Sequence, residues 1–526
     1  MAENVPERFA GWRHGLFAWQ EARGGRSVAL VCPADWLDIG EAAEAGRAGR
    51  RALARTEEPM ATTNKTGEIA ARLDRLPSSW YVWRMIVLIS LGGVFEFYDL
   101  FFTGYVAPGM IKSGLFTPES LGPFAALQTI AVAGFGTFVF ATFAGLWVGA
   151  LFLGQIADRM GRRAVFVWAL VWYIVCSAIM AFQDTGFSLV IWRFIAGIGL
   201  GIELVTIDAY IAELIPRRER GRAFSTNQVI TYCAVPLVAF LAWRLVPLQP
   251  FGLDGWRWVV LIGSVGAVVV WALQLGIPES PRWLAKHGRN QEAERVVAKI
   301  EAGVEAELGR PLPPPVPEPP EGENTGRLSE AFAPPYRART IMLSVFNFAQ
   351  TIGFYGFAAW VPTLLIARGI HVTASLEYAF IIAIANPFGP LLGTLFSDRI
   401  ERKWQIVGGA TGMLICMTIF ARLSDPSLLI AFGVLFTLCA NVMSYSFHNY
   451  QAELYPTRIR ARAIGFVYSW SRLSAAFAGL AIGYFLHTGG VAAVAAFIGV
   501  AMLVVIGVIG IFGPPTRDLA LEQIAQ

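Results

Sequence analysis

The chain has 526 residues, of which 55% are apolar and 15% charged, and its formal net charge at neutral pH is +4. A soluble globular chain carries about a quarter charged residues, so a water-soluble enzyme or binding module is excluded, as the mean hydropathy of +0.52 also argues. The basic residues form no single stripe for nucleic acid, and the five cysteines (Cys32, Cys176, Cys233, Cys416, Cys439) have no spacing that suggests a disulfide or a metal site.

Residues 1–79 are polar and rich in Ala, Arg, Glu and Gly, and read as a cytoplasmic, disordered N-terminal extension. Met60 offers a second start, which leaves residues 1–59 either an extension or untranslated. The first apolar run begins near Met85, so no cleavable signal peptide is expected. From there apolar stretches of about 20 residues recur, each long enough to cross a bilayer. Backbone polar groups in lipid must be satisfied within the segment, so these stretches are predicted as helices. They fall at 84–108, 132–157, 164–183, 187–212, 224–247, 256–277, 340–366, 377–397, 404–422, 427–450, 462–486 and 490–513. The expected fold is an all-α membrane protein with 12 transmembrane helices in two six-helix, pseudo-symmetric bundles, residues 80–277 and 340–513. A cytoplasmic linker, 278–339, joins them, and a cytoplasmic tail, 514–526, follows. The linker is Pro-rich around Arg310–Pro320, which favours an extended chain. Within it, 288–308 could form an amphipathic helix under the membrane.

Loops after the even-numbered spans collect the arginines: Arg159, Arg162 and Arg163; Arg217, Arg218, Arg220 and Arg222; Arg399, Arg402 and Lys403; Arg458, Arg460 and Arg462. Positive charge marks the cytoplasmic side, so both termini are expected there, in a plasma (inner) membrane. Two of these clusters repeat at one offset of 240 residues. Asp158, Arg159 and Arg163 map to Asp398, Arg399 and Lys403, and Glu213-Leu214-Ile215-Pro216 maps to Glu453-Leu454-Tyr455-Pro456. A shared offset implies duplicated halves, as in transporters with a central site.

Gly154-x-x-x-Asp158-Arg159-x-Gly161-Arg162-Arg163 resembles the signature loop of the major facilitator superfamily. Pro278-Glu279-Ser280-Pro281-Arg282-Trp283-Leu284 resembles the sugar-porter signature, and Arg193-x-x-x-Gly197-x-Gly199-x-Gly201 the fourth-helix motif. The resemblance covers roughly residues 80–515. It implies a cytoplasmic gating network in which Asp158, Glu213, Glu279, Asp398 and Glu453 pair with Arg159, Arg163, Arg222, Arg282, Arg399 and Arg462. Topology signalling alone would explain the arginines but not the interleaved carboxylates and glycines.

The resemblance does not imply a sugar substrate. Where sugar porters carry Gly-Pro-x-x-Trp in the tenth helix, this chain has Ser444-Tyr445-Ser446-Phe447-His448, and the glutamine pair of the seventh is reduced to Gln350-x-x-Gly353. The first span, Phe95-Glu96-Phe97-Tyr98-Asp99-Leu100, looks like metabolite–proton symporters and organic-anion and vitamin transporters. A charge at mid-membrane costs at least about 3 kcal/mol, unless it faces a wet cavity or is protonated. Glu96 and Asp99, one turn apart, are therefore proton-coupling candidates, with Arg193, Asp208 and His448. A structural hydrogen bond is the competing role for the acids, and packing for His448. The offset maps Asp208 onto His448, and histidine titrates near neutral pH, which would suit a coupled gate. Glu203, on another face, reads as structural. Tyr98, Gln350, Tyr355, Asn441 and Tyr445 are candidate substrate contacts.

The expected function is secondary active, proton-coupled symport (uptake) of a small polar or anionic organic metabolite by alternating access. The alternatives are a sugar porter, a proton-coupled exporter, or a nutrient receptor that does not transport. No nucleotide-binding loop, metal spacing or nucleophile arrangement is visible, so neither an enzyme nor a cofactor is expected. The expected partners are the substrate, protons and the lipid bilayer, with no nucleic acid, and the chain is expected to be monomeric.

Overall fold

The computed structural model describes residues 16–18, 29–31, 65–129, 134–150, 156–315, 326–396 and 400–516. Residues 1–64 form one unit and 65–526 another. In the first, β1 (Leu16–Ala18) pairs antiparallel with β2 (Ala29–Val31), Phe17 opposite Leu30. The second start at Met60 lies outside the described residues.

Nine helices among the described residues are long and apolar enough to cross a membrane. Span 1 is Trp80–Lys112, span 3 Arg162–Ala181, span 4 Gly186–Leu214 and span 6 Gly255–Gln274. Span 5 joins Arg220–Tyr232 to Ala234–Leu245; span 7 joins Arg337–Ala358 to Val361–Ala367; span 8 joins Val372–Ala383 to Phe388–Phe396; span 10 is Pro426–Glu453. Spans 11 and 12 share one stretch, Thr457–Phe512, broken at Gly490, whose φ of 62° suits glycine and reverses the chain. Span 2, Phe135–Val148 with Ile156–Met160, and span 9, Arg402–Phe420, complete twelve spans in two six-helix bundles. The second unit is an all-α membrane protein.

Local chemistry sets the helix ends. The Ser79 hydroxyl accepts from Val82 N at the start of span 1, and Asp425 accepts from Leu428 N at the start of span 10. Spans 2 and 4 pack backbone to backbone: a Cβ on Gly145 would lie 2.2 Å from Phe194 O, and one on Gly197 2.5 Å from Thr142 O. Small residues permit that approach between membrane helices, and it carries Thr142 up to Arg193.

Residues 65–79 are not disordered, which corrects the expectation for the end of the extension. A lead helix, 65–74, packs on the loop helix Asn290–Leu308. Ile69, Leu73 and Leu76 share a buried cluster with Val297, Ile300 and Val304. Glu301 receives Arg72 at 2.5 Å and Arg75 at 2.6 Å, and Asp74 receives Arg282 at 2.9 Å. The physical reason is an apolar stripe too short to stand out in a polar stretch, yet matched by a second amphipathic helix.

Candidate functional site

The two bundles meet at the end away from the motif loops. There a Cβ on Gly104 would lie 2.3 Å from Ala359 O. Phe135 stacks edge-on against Trp360 at 4.9 Å, Phe140 meets Phe477 at 5.6 Å, and Trp243 lies parallel to Phe380 at 5.6 Å. Deeper in, Tyr355 of span 7 packs on Phe143 and Phe101 of the other bundle, at 4.8 and 6.3 Å. These rings form a plug.

On the motif side of the plug lies a cavity of about 220 Å³ between the bundles. Its wall carries Glu96 and Phe97 of span 1, Asp208 of span 4, Asn227, Thr231 and Tyr232 of span 5, Gln350, Phe354 and Tyr355 of span 7, Phe447 and His448 of span 10, and Tyr468 and Arg472 of span 11. Asp208 is open to that space, whereas Glu96 is buried with Oε1 unpartnered among the described residues. His448 packs on Phe447 at 4.2 Å and Tyr468 at 5.5 Å.

Asp99 is elsewhere. It points into the first bundle, where Arg193 Nη1 donates to its Oδ2 at 2.6 Å and Nη2 to its main-chain oxygen at 2.8 Å. Arg193 also donates to Thr142 Oγ1 at 2.7 Å and Thr103 Oγ1 at 2.9 Å, and it lies over the Phe102 ring at 4.7 Å. Both members of the pair are fully buried. The two acids therefore divide: one on the cavity, one in the bundle. Glu203 is buried too, with Oε1 unpartnered among the described residues.

Of the expected substrate contacts, Gln350 and Tyr355 are on the cavity wall. Three are not. The Tyr98 hydroxyl donates to Val259 O at 2.6 Å inside the first bundle. Asn441 donates to Asn386 Oδ1 at 3.2 Å, and Tyr445 packs beside Gly393. Periodicity names the helix but not its rotation, and each of these side chains faces a neighbour in its own bundle. Arg472 was missed. Its signal was present, since no other Asp, Glu, Lys or Arg occurs between Arg462 and Thr516.

The motif residues are paired differently from the expected scheme. Glu213 receives Arg162 at 3.0 Å, and Glu453 receives Arg402 at 3.0 Å. Arg222 lies 3.6 Å from Glu219, Arg282 binds Asp74, and Arg462 donates to Gly326 O. Arg163 donates to Leu275 O at 2.6 Å, and Arg159 is exposed. Glu279 caps span 3, accepting from the main-chain nitrogens of Arg162 and Arg163 at 2.9 and 3.1 Å. Gly161 makes that cap, because its φ is 102° and a Cβ there would sit 2.3 Å from Glu279 Oε2. These pairs stay within one bundle or its appended helices. Asp398, Arg399 and the Asp158 side chain lie outside the described residues.

Residues 85–526 match the profile of the family described as "Sugar (and other) transporter". The chain is 31% identical to the putative metabolite transport protein YyaJ of Bacillus subtilis, over 86% of this chain and 97% of that one. It is 26% identical to the niacin transporter NiaP of Acinetobacter baylyi, over 87% and 99%. Among solved structures, a D-xylose-proton symporter superposes with a TM-score of 0.65 at 20% identity, over 84% of this chain and all of that one. That likeness is one of fold.

Proposed function

Because this chain belongs to the Sugar (and other) transporter family, we propose that it takes up a small polar or anionic organic metabolite by alternating access, driven by protons. The observation that carries this reading is a cavity between two bundles, closed by an aromatic plug at one end, with ionisable groups on its wall. Rocking one bundle against the other would open the plug and close the motif side. The arginine-rich loops favour that side as cytoplasmic, in a plasma membrane. The names of relatives support small metabolites as cargo, and the proton in the symporter's name supports coupling.

Asp99 is the proposed proton site, with Arg193 as its counter-charge and Glu96 as a wall group that tunes it or touches substrate. Protonating Asp99 would strip Arg193 of its neutralising partner in a place closed to bulk solvent, which costs several kcal/mol. Relief requires span 4 to shift against span 1, and a proton can thereby bias a two-state equilibrium. Asp208 and His448 are secondary candidates on the wall. The motif carboxylates and arginines are proposed to trade their present partners for cross-bundle ones when the cytoplasmic side shuts. In liposomes, Asp99→Asn should abolish accumulation driven by a pH gradient yet leave substrate exchange, which needs no net proton movement. If Asp99→Asn and Glu96→Gln both keep full gradient-driven accumulation, neither first-span acid couples transport.

A further inference from the structure

Arg472 is 4% exposed and reaches the cavity from the middle of span 11. Its Nη1 donates to the Tyr355 hydroxyl at 3.2 Å and its Nη2 to the Tyr468 hydroxyl at 3.0 Å, and its plane lies over the Tyr468 ring at 4.9 Å. Both partners are neutral. No carboxylate stands within 4.0 Å of the guanidinium among the described residues. A guanidinium cannot shed its proton, so this is a fixed, largely buried positive charge held by two neutral phenols, with Glu96 and Asp208 as the carboxylates that share its cavity. Such a charge costs several kcal/mol, and the phenols use only two of its five donors.

The groups facing it divide by what they can do. Glu96 and Asp208 across the cavity can become neutral by taking a proton, and His448 by losing one; Arg472 can do neither. A cationic cargo would meet Arg472 head-on, and a neutral polyol would leave it uncompensated. Rings line the same cavity: Phe97, Tyr232, Phe354, Tyr355, Phe447 and Tyr468. The guanidinium fork matches a carboxylate in bidentate geometry, and flanking rings suit a flat body.

We propose that Arg472 receives the carboxylate of the transported substrate, which is a small organic monocarboxylate with a planar or aromatic body held between the cavity rings. This rests on the transporter reading and names the cargo class at the same site.

The test uses purified full-length protein and calorimetric titration with benzoate against benzamide, nicotinate against nicotinamide, and xylose as a neutral polyol. The acids should bind about tenfold or more tighter than their amides, the scale of a lost charged hydrogen bond, and xylose more weakly still. Arg472→Gln should erase the difference between acid and amide. Arg472→Lys keeps a charge without the fork, so acid preference should persist at reduced affinity. It carries the test alone should the glutamine variant not fold. The proposal is overturned if no acid binds, if amides or xylose bind as tightly as the acids, if Arg472→Gln keeps the wild-type preference, or if Arg472→Lys binds acids at wild-type affinity. Accumulation in liposomes is scored separately. If acids bind with this preference but neither they nor any other solute is accumulated, the transport reading fails and Arg472 stands as a carboxylate-binding group only. A neutral compound accumulated under a pH gradient, with acids excluded, does the reverse.

Discussion

Two arginines lie deep in the membrane part of this protein, and their surroundings differ in kind. Arg193, in the first bundle, has a carboxylate, a main-chain oxygen and two threonine hydroxyls on its donors, and no opening to the cavity. Arg472, in the second, has two phenols and an open cavity. A buried charge paired with a carboxylate and using four of its five donors belongs to the architecture and its switching, because removing one partner strands the other. A buried charge left half satisfied marks a place where something else is meant to bind. On the proposed reading the difference separates the pair that senses a proton from the group that holds cargo, although sequence alone records both as an arginine in an apolar helix.

The largest expected effect tests the first half of that contrast. Arg193→Gln leaves Asp99 buried without a cation, and should lower stability by about 3–5 kcal/mol, the scale for breaking a buried pair from one side. Scanning fluorimetry in detergent should show a clear fall in Tm, and Asp99→Asn/Arg193→Gln should recover most of it. A single variant as stable as wild type would show that the pair contributes little to the fold, and the contrast would then fail.

Arg472→Gln should behave oppositely. It removes a buried charge that no carboxylate binds directly and loses only two bonds to phenols, so the relief of burial offsets the lost bonds and Tm should hold or rise. A fall as deep as that of Arg193→Gln would make the two arginines alike, and would return Arg472 to a structural role.

Much of this was legible before any coordinates. The spans were, because 20 apolar residues have few other uses and charged loops interrupt them at a steady rhythm. The repeat offset paired Asp208 with His448, and both line the cavity. Rotation was not legible. Glu96 and Asp99 share a helical stripe to within about 60° at about 100° per residue, yet that angle suffices to send one to the cavity and the other to span 4. Tyr98, Asn441 and Tyr445 face into their own bundles for the same reason. Arg472 escaped because attention went to motif matches, whereas a single charge in the most apolar stretch carries information without any motif. The lead helix escaped because its docking depends on a partner more than 200 residues away, Glu301.

Glu301 extends the comparison to a third setting, where arginine and carboxylate meet at the edge of water. Burial alone would raise its carboxyl, but hydrogen bonds from Arg72 and Arg75 outweigh it and hold the group below its ordinary value of 4.5. A folded-state value lower than the unfolded one stabilises the docked lead helix above pH 4.5, and the contribution is lost as pH falls through the lowered value. The side chains are partly solvated, so the effect should be small, about 1 kcal/mol or less for Glu301→Gln. Amide hydrogen exchange over 65–74 reads it. At pH 7 the variant should exchange a few-fold faster than wild type, and the gap should close under acid conditions, where wild-type Glu301 is itself protonated. A gap that persists undiminished in acid would mean that the amide disturbs packing against Val297 and Ile300, and that charge at Glu301 does not hold the lead helix down.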